Sequence, residues 1–244
     1  MSYSINKYGK SNFVYSNNTI ITNGLVLNLD AGNPQSYSGD EIFWYDLSGN
    51  ENNGTLFNEI VYNPDNLGSL VFDGIDDYIS IQYSTTIDPT DGITIDLWCY
   101  PTDITTERYY ELYRKETSPG RQLFSFQEFG TVISFGSDTN INDYHELDIN
   151  ITPSNYTNKW IHLVATYTDG YKAIYANGNL IGSSTSVYGT LVQSVGISFI
   201  GTLGVDMGIR EYFKGSFAAF KIYNRGLASI EVLQNYNALK NRFI

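Results

Sequence analysis

Carboxylates carry the first hint of chemistry. Glu146-Leu147-Asp148-Ile149-Asn150 places two acids two residues apart. On a strand that spacing puts both on one face, where a pair of carboxylates could attack and protonate a glycosidic bond. The third position on that face is Asn150, whose amide cannot donate an acid proton to a leaving group. The motif sits in a polar, turn-rich segment spanning 136–155. The expectation is therefore a protein that is not an enzyme.

Asp73, Asp76 and Asp77 form the densest carboxylate group beside a strand end. Clustered hard oxygen donors suit Ca²⁺. The plainer reading is an Asp-Gly turn with solvated side chains. His145 and His162 lie 17 residues apart with no third partner at ligand spacing. His162 reads as a core histidine. Sugar binding needs exposed rings beside planar polar groups. Tyr109, Tyr110, Tyr113 and Arg114 fall in a polar excursion over 102–120, and Asn142, Tyr144 and His145 in the next long loop. Raised from one edge, the two loops would form a platform for a glycan or a protein partner; ordinary loop packing or a subunit contact is the alternative.

The elements that must position these groups read as strands. Trp160 to Gly182 alternates in side-chain character and is broken by Asp169-Gly170 and Asn177-Gly178, so it is expected to form a three-stranded meander with two type I′ turns. Trp160 is expected to start its first strand and bury its ring against an opposing sheet. Ile93, Ile95, Leu97 and Cys99 share a face of a strand that Pro101 should stop. Leu70–Phe72 and Tyr78–Ile81 should flank Asp73–Asp77 as a hairpin. One helix is expected near the C-terminus, with Ile230, Leu233, Tyr236 and Leu239 on its apolar side. The whole is an all-β jelly-roll sandwich of two antiparallel sheets with a short C-terminal helix. Residues 1–22 are polar and aperiodic and read as an N-terminal arm, with 23–244 as the domain. Tyr3, Tyr8, Phe13 and Tyr15 are costly to leave in water and mark that arm as an assembly segment.

W-x-H-x-x-x-T-Y-x-D-G followed by Y-x-N-G-x-L in the meander resembles the central hairpins of laminin-G-like domains of the concanavalin A-like lectin/glucanase superfamily. GLVLNLDAGNPQSYSG (24–39), WYDLSGNENNGTLFN (44–58), VFDGIDDYISI (71–81) and FKGSFAAFKIYNRGLASIEVLQNY (213–236) extend the likeness over about residues 24–237. The resemblance implies the sandwich fold and, in many relatives, bound calcium. Glucanases of this fold carry E-x-D-x-E where this chain has Asn150 last. Ala218 and Ala219 replace two acids usual in the family's last strand, and Ala228 replaces the serine that usually caps the helix. The 24–58 motifs resemble laminin-G-like modules of bacteriophage tail and capsid-associated proteins.

The chain has 244 residues, and 26 Asp plus Glu against 14 Lys plus Arg give a net charge of −12. Such a surface repels phosphate backbones, so nucleic acid is not an expected partner. No apolar run is long enough to insert in a membrane. The single Cys99 forms no internal disulfide. The first residues lack a signal-peptide h-region, which accords with synthesis in a host cytoplasm and residence in a virion. The expected function is a non-enzymatic virion structural module, a head decoration or a tail/fibre subunit. Its arm would hold it to other virion proteins, as a homo-oligomer, with host-surface glycan as a further partner. The alternatives are a calcium-dependent lectin and a glycoside hydrolase.

Overall fold

The computed structural model describes residues 19–204 and 211–244. The expected arm residues Tyr3, Tyr8, Phe13 and Tyr15 lie outside them. Among the described residues sixteen strands follow in order: β1 (Leu25–Asp30), β2 (Phe43–Trp44), β3 (Gly54–Phe57), β4 (Val61–Asn63), β5 (Ser69–Asp73), β6 (Tyr78–Ile81), β7 (Gly92–Asp103) and β8 (Tyr109–Thr117). Then come β9 (Gly120–Gln127), β10 (Val132–Thr139), β11 (Asp143–Asn150), β12 (Ile161–Thr168), β13 (Tyr171–Ala176), β14 (Asn179–Ser184), β15 (Ser198–Ile200) and β16 (Lys214–Tyr223). The α-helix of the described residues, α1 (Ser229–Leu239), follows β16. Among the described residues no helix is long and apolar enough to cross a membrane.

The strands form two antiparallel eight-stranded sheets. The first runs β14-β13-β12-β7-β16-β5-β4, with β1 sharing the β5 edge of β16. The second runs β11-β10-β9-β8-β15-β6-β3-β2. Inward-facing residues alternate along each strand and meet in one core. Ile93, Ile95, Leu97 and Cys99 of β7 are wholly buried there, facing residues such as Phe124, Phe126 and Phe135 of the second sheet. Cys99 is free, and burial pushes its thiol pKa up.

Turn chemistry sets the meander. Asn177 and Gly178 adopt φ of 50° and 76°, the paired positive values of a type I′ turn. At Asp169-Gly170 only the glycine does so, with φ 77°. β7 runs through Pro101 to Asp103 instead of stopping there. Pro101 faces Gly215 at a register shift, and a bulge is where a sheet tolerates a proline. A Cβ on Gly215 would stand 2.2 Å from the Tyr100 carbonyl oxygen, so only glycine admits that approach.

Leu70–Phe72 and Tyr78–Ile81 do not pair. β5 lies in the first sheet and β6 in the second, so Asp73–Asp77 crosses between sheets. The two polar excursions are also strands, β8 and the β10–β11 pair. Most of their charges, with Tyr109 and Tyr144, occupy the outer face, while Tyr110, Tyr113 and Lys115 are buried, and a register shift between Glu111 and Tyr113 breaks the period.

Helix α1 packs on the outer face of the first sheet. Half of the expected apolar face packs: Tyr236 and Leu239 lie against Trp98 and its neighbours, whereas Ile230 and Leu233 are exposed, Ile230 at 65%, and Val232 and Asn235 are buried instead. Asn235 Nδ2 donates to Asp96 Oδ2 at 2.8 Å and to Tyr223 Oη at 2.9 Å. Its Oδ1 accepts the Ile21 amide at 2.8 Å, so residues 19–22 belong to the fold rather than to a free arm. His162 is buried as expected, with Nε2 3.1 Å from Asp96 Oδ1. Trp160 precedes β12 and is half-buried on this back face, not between the sheets. Its ring centroid lies 4.6 Å from that of Phe243, which also stacks on Trp98 at 4.4 Å.

Candidate functional site

The outer face of the second sheet collects most of the residues with binding chemistry. Register fixes which ones. Glu111 pairs with Ser125, Arg114 with Leu123 and Glu116 with Arg121 across β8–β9. Ser134 pairs with Asp148, and Gly136 with Glu146, across β10–β11. All of these face outward, opposite the buried Phe124, Phe126 and Phe135. At the other end of the sheet Phe43 pairs with Thr55, and Phe57 with Tyr78.

The β8–β11 end holds a polar cleft of about 390 Å³ that includes Tyr109, Glu111, Arg114, Gln127 and Glu146. Its ionic groups are largely consumed by one another. Arg114 Nη1 reaches Glu111 at 3.2 Å and Nη2 reaches Glu116 at 2.6 Å. Arg121 sits 4.3 Å from the centroid of the Tyr144 ring, and Tyr144 Oη donates to Glu146 Oε1. Gln127 Nε2 donates to Glu146 Oε2 at 3.2 Å. Ser134 Oγ lies 2.6 Å from Asp148 and 3.0 Å from Glu146. Gly136 makes room for this: a Cβ there would meet Tyr144 Oη at 2.2 Å. Burial, with the nearby Glu211 adding to it, raises the Glu111 pKa well above the usual carboxylate range against the pull of Arg114.

Glu146 and Asp148 thus do share a strand face. Asn150, exposed at the end of β11, takes the third position. Of the expected platform, Tyr109, Arg114 and Tyr144 reach this outer face. Tyr110 and Tyr113 are 2% and 0% exposed and belong to the core, so neither ring can stack on a sugar. His145 points to the opposite side of β11 from Tyr144, paired with Ser137. Asn142 Oδ1 is taken by the Tyr188 amide of the segment after β14, at 2.6 Å.

The β2–β3 end holds a different cleft, of about 490 Å³. Phe43, Tyr45 and Tyr83 line it, each 39% exposed. Asn50, Asn53 and Gln82 line it beside them. The Phe43 and Tyr45 rings lie 6.1 Å apart. The buried Lys115 ammonium sits 5.3 Å from the Tyr83 ring centroid and pairs with Asp88 at 2.8 Å, which braces that ring from beneath. The sequence reading missed this site. Its signal lies in Phe43-Trp44-Tyr45, where a wholly buried tryptophan is flanked by two exposed rings.

Asp73, Asp76 and Asp77 do converge at the sheet crossover, with one oxygen from each within 4.8 Å of the others. Asp77 Oδ2 accepts the Asp73 amide at 2.8 Å, and Asp73 Oδ1 accepts the Ile75 amide at 2.7 Å. Burial, opposed by the Asp73 amide bond but aided by the Asp73 and Asp76 charges, raises the Asp77 pKa to about 6.

A laminin G family model of the concanavalin A-like lectin/glucanases superfamily matches residues 73–233, and the chain belongs to that superfamily. No curated protein sequence matches it significantly. Solved structures of similar fold include toxin binding domains. The botulinum neurotoxin serotype D ligand binding domain, in complex with N-acetylneuraminic acid, is 17% identical with a TM-score of 0.68, over 88% of this chain and 51% of that one. The binding domain of botulinum neurotoxin DC, in complex with rat synaptotagmin II, is 14% identical with a TM-score of 0.68, over 90% and 52%. The binding domain of Paraclostridial Mosquitocidal Protein 1 is 18% identical with a TM-score of 0.67, over 87% and 52%. The chain spans about half the length of each, and at these identities the likeness is one of fold.

Proposed function

We propose that this chain is a non-catalytic glycan-binding module whose sugar site is the cleft of Phe43, Tyr45 and Tyr83. The observation that carries this is three part-exposed rings in one cleft beside amide side chains. Sugar C–H faces stack on rings, and hydroxyls pair with amides. The structural neighbours are binding domains, which favours adhesion over a purely scaffolding role. A net charge of −12 and Glu51 in the lining favour neutral over sialylated glycans. Absence of hydrolysis is supported by Asn150 and by the saturation of Glu146 with protein donors. The resemblance of the 24–58 motifs supports placing the module on a bacteriophage particle, where it would grip a host-surface glycan.

A glycan array with the intact protein tests the reading. Binding to neutral oligosaccharides is expected, falling at least about tenfold in Tyr83→Ala and Tyr45→Ala, as loss of a stacking contact of roughly 1.4 kcal/mol requires. Absence of any binder, or binders unaffected by both changes, would refute it.

A further inference from the structure

We infer that Lys115 and Asp88 join in a spontaneous intramolecular amide, an isopeptide cross-link inside the sandwich. Lys115 Nζ lies 2.8 Å from Asp88 Oδ1, and neither side chain reaches solvent. Lys115 belongs to β8 of the second sheet, and Asp88 heads the loop that leads into β7, a central strand of the first. Among the described residues the other lysine–carboxylate pair, Lys221 with Asp96, stands at 3.7 Å. His162 and Asn235 already hold that second carboxylate.

A buried ion pair offsets its desolvation only when further hydrogen bonds satisfy the rest of both groups. This pair falls short of that. Asp88 Oδ2 is buried with no hydrogen-bond partner. Among the described residues, the one other acceptor of Lys115 Nζ is the Ile87 carbonyl, at a long 3.4 Å. Burial lowers the Lys115 pKa against the pull of Asp88. Passing a proton from Nζ to the carboxylate removes both charges from a medium that solvates neither. The neutral amine is then a nucleophile and the carboxylic acid its electrophile. Nζ attacks Cγ with its lone pair. Oδ1 takes up the negative charge of the tetrahedral intermediate, and the Ser194 amide already donates to that oxygen at 3.2 Å. A second Nζ proton passes to the Oδ2 hydroxyl, the Cγ–Oδ2 bond breaks and one water leaves. The product is an Nζ–Cγ amide; nothing is oxidised or reduced, and no co-reactant is consumed. Holding the two groups in contact makes the attack intramolecular, for which effective molarities reach about 10⁵–10⁸ M. The amide removes the buried charges and the orphaned oxygen together, and it ties the second sheet to the entry of β7. Neither residue lines the aromatic cleft, so the cross-link and the glycan reading stand or fall separately.

Intact-mass and tandem mass spectrometry of the purified whole chain test this. The wild-type mass should lie one water below that of the sequence. A tryptic digest should yield a branched peptide joining Lys115 to Asp88, with no cleavage after Lys115. Lys115→Arg, which keeps the charge and cannot form the amide, should show its full sequence mass and a lower unfolding midpoint. Loss of water at an Asp-Gly turn such as Asp73-Gly74 is told apart because it leaves both peptides linear. A wild-type chain of full sequence mass would overturn the proposal. So would a water loss with no peptide joining the two residues, or the same loss persisting in Lys115→Arg.

Discussion

Replacing Asn235 with alanine probes the polar cluster beneath α1. The side chain is 1% exposed and makes three bonds: to Asp96 at 2.8 Å, to Tyr223 at 2.9 Å and from the Ile21 amide at 2.8 Å. Losing a bond to a charged group costs about 1.5–3 kcal/mol and each neutral one about 1 kcal/mol. Better helix propensity returns about 0.6 kcal/mol. The net loss should be about 3–4 kcal/mol, a large share of a typical domain's roughly 5–15 kcal/mol. Urea denaturation at neutral pH measures it, with Ile230→Ala as the control. Ile230, 65% exposed, should cost no more than about 0.5 kcal/mol. The pH dependence has a definite sign. Burial would raise the Asp96 pKa, but His162, Lys221 and the Asn235 bond outweigh it and hold the pKa at about 2. A carboxyl depressed in the folded state stabilises above its unfolded pKa, and the benefit disappears as pH falls from about 4 through 2. The gap between wild type and Asn235→Ala should narrow over that range. A loss under about 1 kcal/mol at neutral pH, or one matched by Ile230→Ala, would refute the assignment of the helix face.

Ala228→Ser should raise the urea midpoint by about 0.5–1 kcal/mol. Ala228 already has an extended backbone at the cap position, and Glu231 already accepts its amide at 2.9 Å; an unchanged midpoint would count against the cap. Deleting residues 1–18 should leave unfolding unchanged and abolish incorporation into a parent assembly. Deleting through 22 should also cost about 1–3 kcal/mol, because Ile21 bonds to Asn235 and Tyr223; equal stability of the two truncations would contradict this. The protein should not hydrolyse laminarin, and turnover lost on Glu146→Gln would overturn the non-enzymatic reading.

The sandwich was legible where apolar alternation is clean. Ile93 to Cys99 and the meander through Asn177-Gly178 lie where their residue types place them. β8 and β11 were hidden because their outward residues are charges that pair across the sheet, which makes an ion network resemble loop composition. The bulge after Glu111 also defeats a period-2 count, so the core rings of Tyr110 and Tyr113 passed for surface tyrosines. On α1, Tyr236 and Leu239 pack as their spacing predicts, but the burial of Asn235 was invisible to hydrophobic spacing because the helix covers Asp96, a charged residue, and buries an amide to do so. Trp160 failed for a related reason. The first sheet is covered on both faces, and nothing in the residue itself says which face it joins. The aromatic cleft draws on segments some 40 residues apart, which only strand order brings together.

Residues 19–22 run along α1 on the back of the first sheet, and Phe243 stacks there against Trp98 and Trp160. The aromatic cleft opens on the far side of the sandwich. Anchorage through the chain ahead of residue 19 would therefore leave the aromatic cleft on the face turned away from the anchor. Copies fixed side by side on one support would all present that face outward in the same sense. Weak individual contacts would then act together, because each bound copy holds its neighbours at high effective concentration over the same glycan layer.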